Sequence, residues 1–170
     1  ARAAILAHRA SCAHSRAPVV RPAWLAGEAL ARAHREHGRE AARLAALRAD
    51  DDDLAQLEAN IAACRGTLAL PGDAAAVKRH SALDVEFHAL VARASRNRSL
   101  MLAREPFSLL YRPALTLLQE TLPQSASRNV RAHEAILAAL RKRDAGRAQE
   151  WMRKHLVDFR AGFLQAGLPM

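Results

Sequence analysis

An all-α fold, an antiparallel bundle of about six helices, is what this sequence predicts. Three observations carry that reading. The 170 residues are 51% hydrophobic but only 4% aromatic, with Ala, Leu and Arg prominent and few β-branched side chains, a balance that favours helix over sheet on propensity alone. Apolar residues recur three and four apart along most of the chain, the spacing of one helix face. Asp, Pro and Gly then divide it into segments of ordinary helix length.

The elements follow in order. Residues 1–29 form a basic lead-in, with four Arg and no acid in the first 27; they read as disordered or as a remnant, and a transit peptide has the same composition. Residues 30–170 are the folded domain. From Pro22, well placed in a first turn, the sequence predicts one long helix, or two short ones broken near Gly38. Ala41, Leu44, Ala45 and Leu47 supply its apolar stripe. Asp50 to Asp53 are a start signal for a second helix with Leu54, Leu57, Ile61 and Cys64 on its buried face, ended near Gly66. A third starts at Asp73 and runs to the neighbourhood of Asn97, read as its terminator. A fourth covers Leu100 to about Glu120 and is interrupted or bent near Pro106 and Pro113. The fifth spans roughly 124–143 and the sixth 145–165, with Asp144 as N-cap between them. A chain this long buries enough surface to fold without staples.

Charge and cysteine usage exclude several classes. The net charge is +9, but +5 of it comes from eight Arg and three Glu in residues 1–43. The rest alternates with acids on helical faces, so the body of the domain has no nucleic-acid footprint. The basic lead-in could touch phosphate without sequence choice. Cys12 and Cys64 give neither a disulfide framework nor a thiolate zinc spacing, which fits a reducing cytoplasm. No run approaches the roughly 20 apolar residues that cross a bilayer.

Chemistry concentrates on LDVEFH, residues 83–88, where Asp84 and His88 sit four apart on one helix face. His133 and His155 lie about eleven residues on either side of the Asp144 turn, each roughly 16 Å from it at 1.5 Å per residue. In an antiparallel hairpin they are level, and the Asp84–His88 pair reaches a similar depth. Three imidazoles and a carboxylate suit Zn, Ni, Fe, Mn or Co with coordination positions to spare. Each histidine is equally readable as a satisfied core or surface side chain, so both readings stand at this point. His80, after Lys78 and Arg79, is expected to be exposed or to support the ligands. His8, His14, His34 and His37 show no comparable arrangement. Glu86 and Glu134 adjoin candidate ligands and so point elsewhere, which leaves no general base and argues against an enzyme.

AARLAALRADDDDLAQLE at 41–58, DVEFHALVARASRN at 84–97 and HEAILAALRKRDAGRAQEWMRKHL at 133–156 together resemble the FadR C-terminal, or FCD, effector domain of GntR-type bacterial transcription regulators. The resemblance covers about residues 30–165. It implies a bundle of six or seven helices in which one Asp and three His hold a divalent metal that helps bind small organic acids. The ligands would be Asp84, His88, His133 and His155. Members commonly carry an Arg and, four residues on, a Glu ahead of the AARLAA stretch; His34 and Gly38 stand there in this chain, so His34 takes the effector-side position. Arg112 and Asn129 are the other expected effector contacts, Asn129 because it lies one turn before His133. The resemblance further implies a homodimer, a small carboxylate effector, and DNA contact only through a winged-helix domain that this sequence does not contain. The expected function is therefore ligand sensing for transcription regulation. The rival readings are a metal-dependent hydrolase or lyase on a helical bundle and a metal-free helical interaction module.

Overall fold

A computed structural model describes residues 28–70 and 72–167. The basic lead-in, apart from Glu28 and Ala29, lies outside the described residues, as does the helix start expected at Pro22. Six helices make up the described fold: α1 (Glu28–Arg48), α2 (Asp51–Thr67), α3 (Ala74–Ala94), α4 (Arg98–Thr121), α5 (Gln124–Arg141) and α6 (Ala145–Gln165). They form the expected all-α bundle. Loops of two to six residues join them, so helices adjacent in sequence that pack together, α2 on α3 and α5 on α6, return antiparallel.

Side chains fix the starts. Asp50 caps α2 in a reciprocal box, its carboxylate accepting from the Asp53 amide while Asp53 accepts from the Asp50 amide. Asp73 and Asp144 accept from amides in the first turns of α3 and α6. Asn97 is corrected in role. Its side chain accepts from the Ser99 and Leu100 amides and so starts α4, while Arg96 makes the turn with a left-handed φ of 51°. Arg96 then reaches across to Asp50 and Asp53, and Arg143, at φ 54°, donates to the Ala49 carbonyl. Two turns are thereby tied to the α1–α2 corner.

The break near Gly38 is not found: α1 runs unbroken through it. The glycine serves packing, because a Cβ there would come 2.8 Å from Leu156 Cδ1 on α6. Ala41, Ala42, Ala45, Ala46 and Ala49 continue this small-residue face, all buried, and let α1 lie against α6 and α3. Around them Leu57, Ile61, Phe87, Val91, Ile136, Leu140, Met152 and Leu156 fill the main core. Cys64 is buried there, and burial pushes its thiol up to about 12, so it packs as an apolar side chain. A smaller cluster of Tyr111, Ala114, Leu118, Leu122 and Phe163 joins α4 to α6. Helix α4 is continuous, with Pro106 and Pro113 inside it on the exposed side. No described helix is long and apolar enough to cross a membrane.

Candidate metal centre

Three helices converge on one point of the core. Helix α3 brings Asp84 and His88, α5 brings His133 and α6 brings His155, and one ligand-type atom of each lies within 4.8 Å of the others. Asp84 and His133 are buried, at 2% and 1% exposure, whereas His88 and His155 retain partial exposure. The quartet therefore has a closed side and an open side.

Packing sets each side chain. His133 lies flat on Phe87, with ring centroids 3.6 Å apart and planes 9° from parallel. Its Nε2 is 3.3 Å from Asp84 Oδ1, but the alignment is not that of a hydrogen bond. Both of its ring nitrogens are left buried without a partner. The other imidazoles stack: His88 and His155 have centroids 5.1 Å apart, and their Nε2 atoms approach to 3.1 Å. Asn129 Nδ2 donates to Asp84 Oδ1 at 2.6 Å and fixes the carboxylate, the kind of outer support that orients a metal ligand.

Electrostatics keep Asp84, His88 and His155 in ligand form. Burial raises the Asp84 carboxyl, but His133, His88 and His155 around it outweigh that and hold it well below the usual carboxylate range. Burial pushes His88 well below its ordinary value and His155 to about 3, with His133 adding to the latter. His34 falls to about 4, again by burial. A carboxylate and neutral imidazoles with buried lone pairs are a donor set for a borderline divalent ion. Unpaired nitrogens such as those of His133 each cost on the order of 1–3 kcal/mol unless something binds them, so the residues present fit a metal. The same shifts give a pH dependence without metal. Below about pH 6.5 the unfolded imidazoles take up protons that the folded ones refuse until about pH 4 for His34 and about pH 3 for His155. The metal-free chain should therefore lose stability as pH falls from about 6.5 towards 4, by up to about 1.4 kcal/mol per pH unit for each imidazole. Urea midpoints across this range check it; a flat profile would contradict the burial of these rings.

Two small cavities flank the quartet. One, about 20 Å³, is lined by Asp84, His155, Asn129, Ser125, Arg128, Tyr111 and Phe159 among others. The second, about 30 Å³, is lined by His34, His37, Gly38, His88, Arg104, Phe107 and Met152 among others. Of the expected effector contacts, Asn129 lines the first and His34 the second, its ring packed on Tyr111 and Phe107. Arg112 lines neither. It is exposed, because its place on α4 turns it to the side of Leu109, away from the histidines. The arginines that do line these cavities, Arg128 the first and Arg104 the second, are ones that sequence reading missed. Arg104 donates to the Val85 carbonyl and keeps a buried Nε without a partner, and Arg128 pairs with Asp158. The spacing of Arg104, Phe107, Tyr111, Leu115 and Leu118 was the available signal, since it marks one face of α4. His80 is buried rather than exposed, its Nδ1 2.7 Å from Thr67 Oγ1. Glu86 accepts from Asn60, and Glu134 pairs with Arg65; both are directed to α2 and away from the quartet.

Comparison with known proteins agrees with this architecture. E. coli McbR/YncC has a similar solved structure, with a TM-score of 0.65 and 20% sequence identity over 79% of this chain. The match spans 62% of that protein's chain, so less than two thirds of it is represented. A search of curated proteins found no match. The family model for the FCD domain matches residues 38–158, which include every residue of the quartet, and with most of its length so matched the chain belongs to the FCD domain family.

Proposed function

We propose that residues 30–170 form a sensing domain that holds one divalent transition metal through Asp84, His88, His133 and His155. With the metal bound, the domain takes up a small carboxylate effector. FCD membership supports a regulatory, effector-binding role of the GntR type rather than an enzymatic one. The observation that carries the metal assignment is the convergence of four donor atoms within 4.8 Å around a His133 whose two nitrogens have no other partner.

The bound ion would supply a Lewis-acid anchor for one carboxylate of the effector, and Zn, Ni, Mn and Fe all suit the donors. The chain's own residues do the rest. Asn129 holds the Asp84 carboxylate in place, Phe87 holds the His133 ring, and His34 and Arg104 offer the effector a polar wall on the more open side. In the cell this domain would act in the cytoplasm as a homodimer, passing effector occupancy to a winged-helix DNA-binding domain outside this chain. To do so, effector must bind one dimer arrangement more tightly than another, since equal affinity shifts nothing.

Tag-free protein should carry about one metal per chain by elemental analysis, and His88→Ala or His155→Ala should lose it. Calorimetric titration with a panel of small mono- and dicarboxylates should give binding to the metal-loaded chain at least about tenfold tighter than to the stripped chain. A wild-type protein that takes up no metal after incubation with Zn, Ni and Mn would sink the assignment.

A further inference from the structure

Helix α4 turns one face to the candidate metal centre, and among the described residues its opposite face is left uncovered. Leu102, Pro106, Leu109, Pro113 and Leu117 follow one another at steps of four, three, four and four residues, which places them on one helix face. All five are exposed. Leu109 and Leu102 are exposed by 73% and 66%, Leu117 and the neighbouring Met101 each by 41%. Several large apolar side chains in a row on water are the mark of an interaction surface.

The charges beside this row say what covers it. Glu105 lies four residues before Leu109 and Arg112 three after; Arg98 lies eleven before and Glu120 eleven after. All four fall on the exposed half of the helix, and none is in an ion pair among the described residues. Suppose a second α4 lies antiparallel on the first, with a two-fold axis beside Leu109. Glu105 then meets Arg112 of the other copy, both on the same flank of the seam, and Arg98 meets Glu120. Pro106 and Pro113 face each other on the other flank, and Leu109 meets itself. A surface that satisfies itself under a two-fold rotation is what an isologous dimer contact requires, and the 24-residue helix gives a seam about 36 Å long.

We propose that the exposed face of α4 is the homodimer interface of this domain, with two copies packed antiparallel about Leu109 and joined by reciprocal Glu105–Arg112 and Arg98–Glu120 pairs. This rests on the homodimer reading given above and adds its location and geometry. It also puts the seam on the same helix whose other face carries Arg104, Phe107 and Tyr111 at the effector cavities.

Sedimentation equilibrium on the full chain tests it, with circular dichroism to show that each variant is folded. Wild type should dimerise, and Glu105→Arg or Arg112→Glu should raise the dimer Kd at least about tenfold, since the two-fold axis counts every reversal twice. The double reversal, Glu105→Arg with Arg112→Glu, should return to within about threefold of wild type. Under oxidation, Leu109→Cys in a Cys12→Ser background should join the two copies at position 109. A dimer unmoved by either single reversal and not joined at position 109 would place the interface elsewhere while leaving the homodimer reading intact. A wild-type chain that stays monomeric would remove both. A disulfide within one chain between Cys12 and position 109, formed when Leu109→Cys is made with Cys12 kept, would show that the lead-in covers this face, and that too would overturn the proposal.

Discussion

Adding a chelator to the wild-type domain should lower its melting temperature by about 5–15 °C, while His133→Ala should melt at the same temperature with and without chelator. The size follows from linkage. An ion present at about 100 to 1,000 times its Kd stabilises the folded state by about 2.7–4.1 kcal/mol, and a domain of this length moves roughly 2–4 °C per kcal/mol. The sign follows from the site itself, because the buried nitrogens of His133 have no hydrogen-bond partner among the described residues and only the folded chain gathers the four donors. His133→Ala removes one donor and the orphaned ring together, so its chelator-free melt should resemble that of stripped wild type more than that of loaded wild type. A wild-type melt unchanged by chelator would show that no ion contributes to stability.

Phe87→Ala should be the most damaging single change in the core. Phe87 is fully buried, and truncating such a ring costs about 3–5 kcal/mol in lost burial and residual cavity. It should also loosen the site, since Phe87 is the surface on which His133 lies stacked. Metal affinity should fall roughly tenfold, the lower end of what losing an outer support costs a metal site. Phe87→Leu separates the two effects. It keeps most of the apolar volume, so denaturant midpoints should stay close to wild type, while competition against a metal indicator should still show weaker binding. Equal metal affinity in Phe87→Leu and wild type would reduce Phe87 to a packing role.

The helices were legible because their punctuation is local. Asp50, Asp73 and Asp144 announce three starts, and each caps the helix that follows it. The quartet was legible for a related reason: four-residue spacing and equal distance from a turn are simple arithmetic along straight helices. What escaped depends on neighbours distant in sequence. Gly38 leaves one helix or two equally readable in isolation and becomes a contact within one helix once Leu156 is opposite it. His80 follows two basic residues and reads as exposed or as a support to the ligands; it is buried, and Thr67 from the preceding helix receives it. Asn97 lies between two helices, and only the direction of its side chain shows which one it serves. Arg112 and Arg104 differ by eight residues, a little over two turns, and their opposite fates depend on which face of α4 the other helices cover.

The two prolines in α4 have a mechanical consequence. Each lacks the amide that would bond four residues back, so the carbonyls of Leu102 and Leu109 lose their helical donors. A 24-residue helix is ordinarily a stiff rod; this one is a rod notched twice, and both notches are cut on the side away from the histidines. Helices bend convex towards solvent, and sharp bends occur at proline, so the easy motion of α4 curls its ends inward over Phe107 and Tyr111 or relaxes them outward. The stiffness of the bundle is thus lowest along one direction, and that direction runs through the wall of the two cavities beside the quartet.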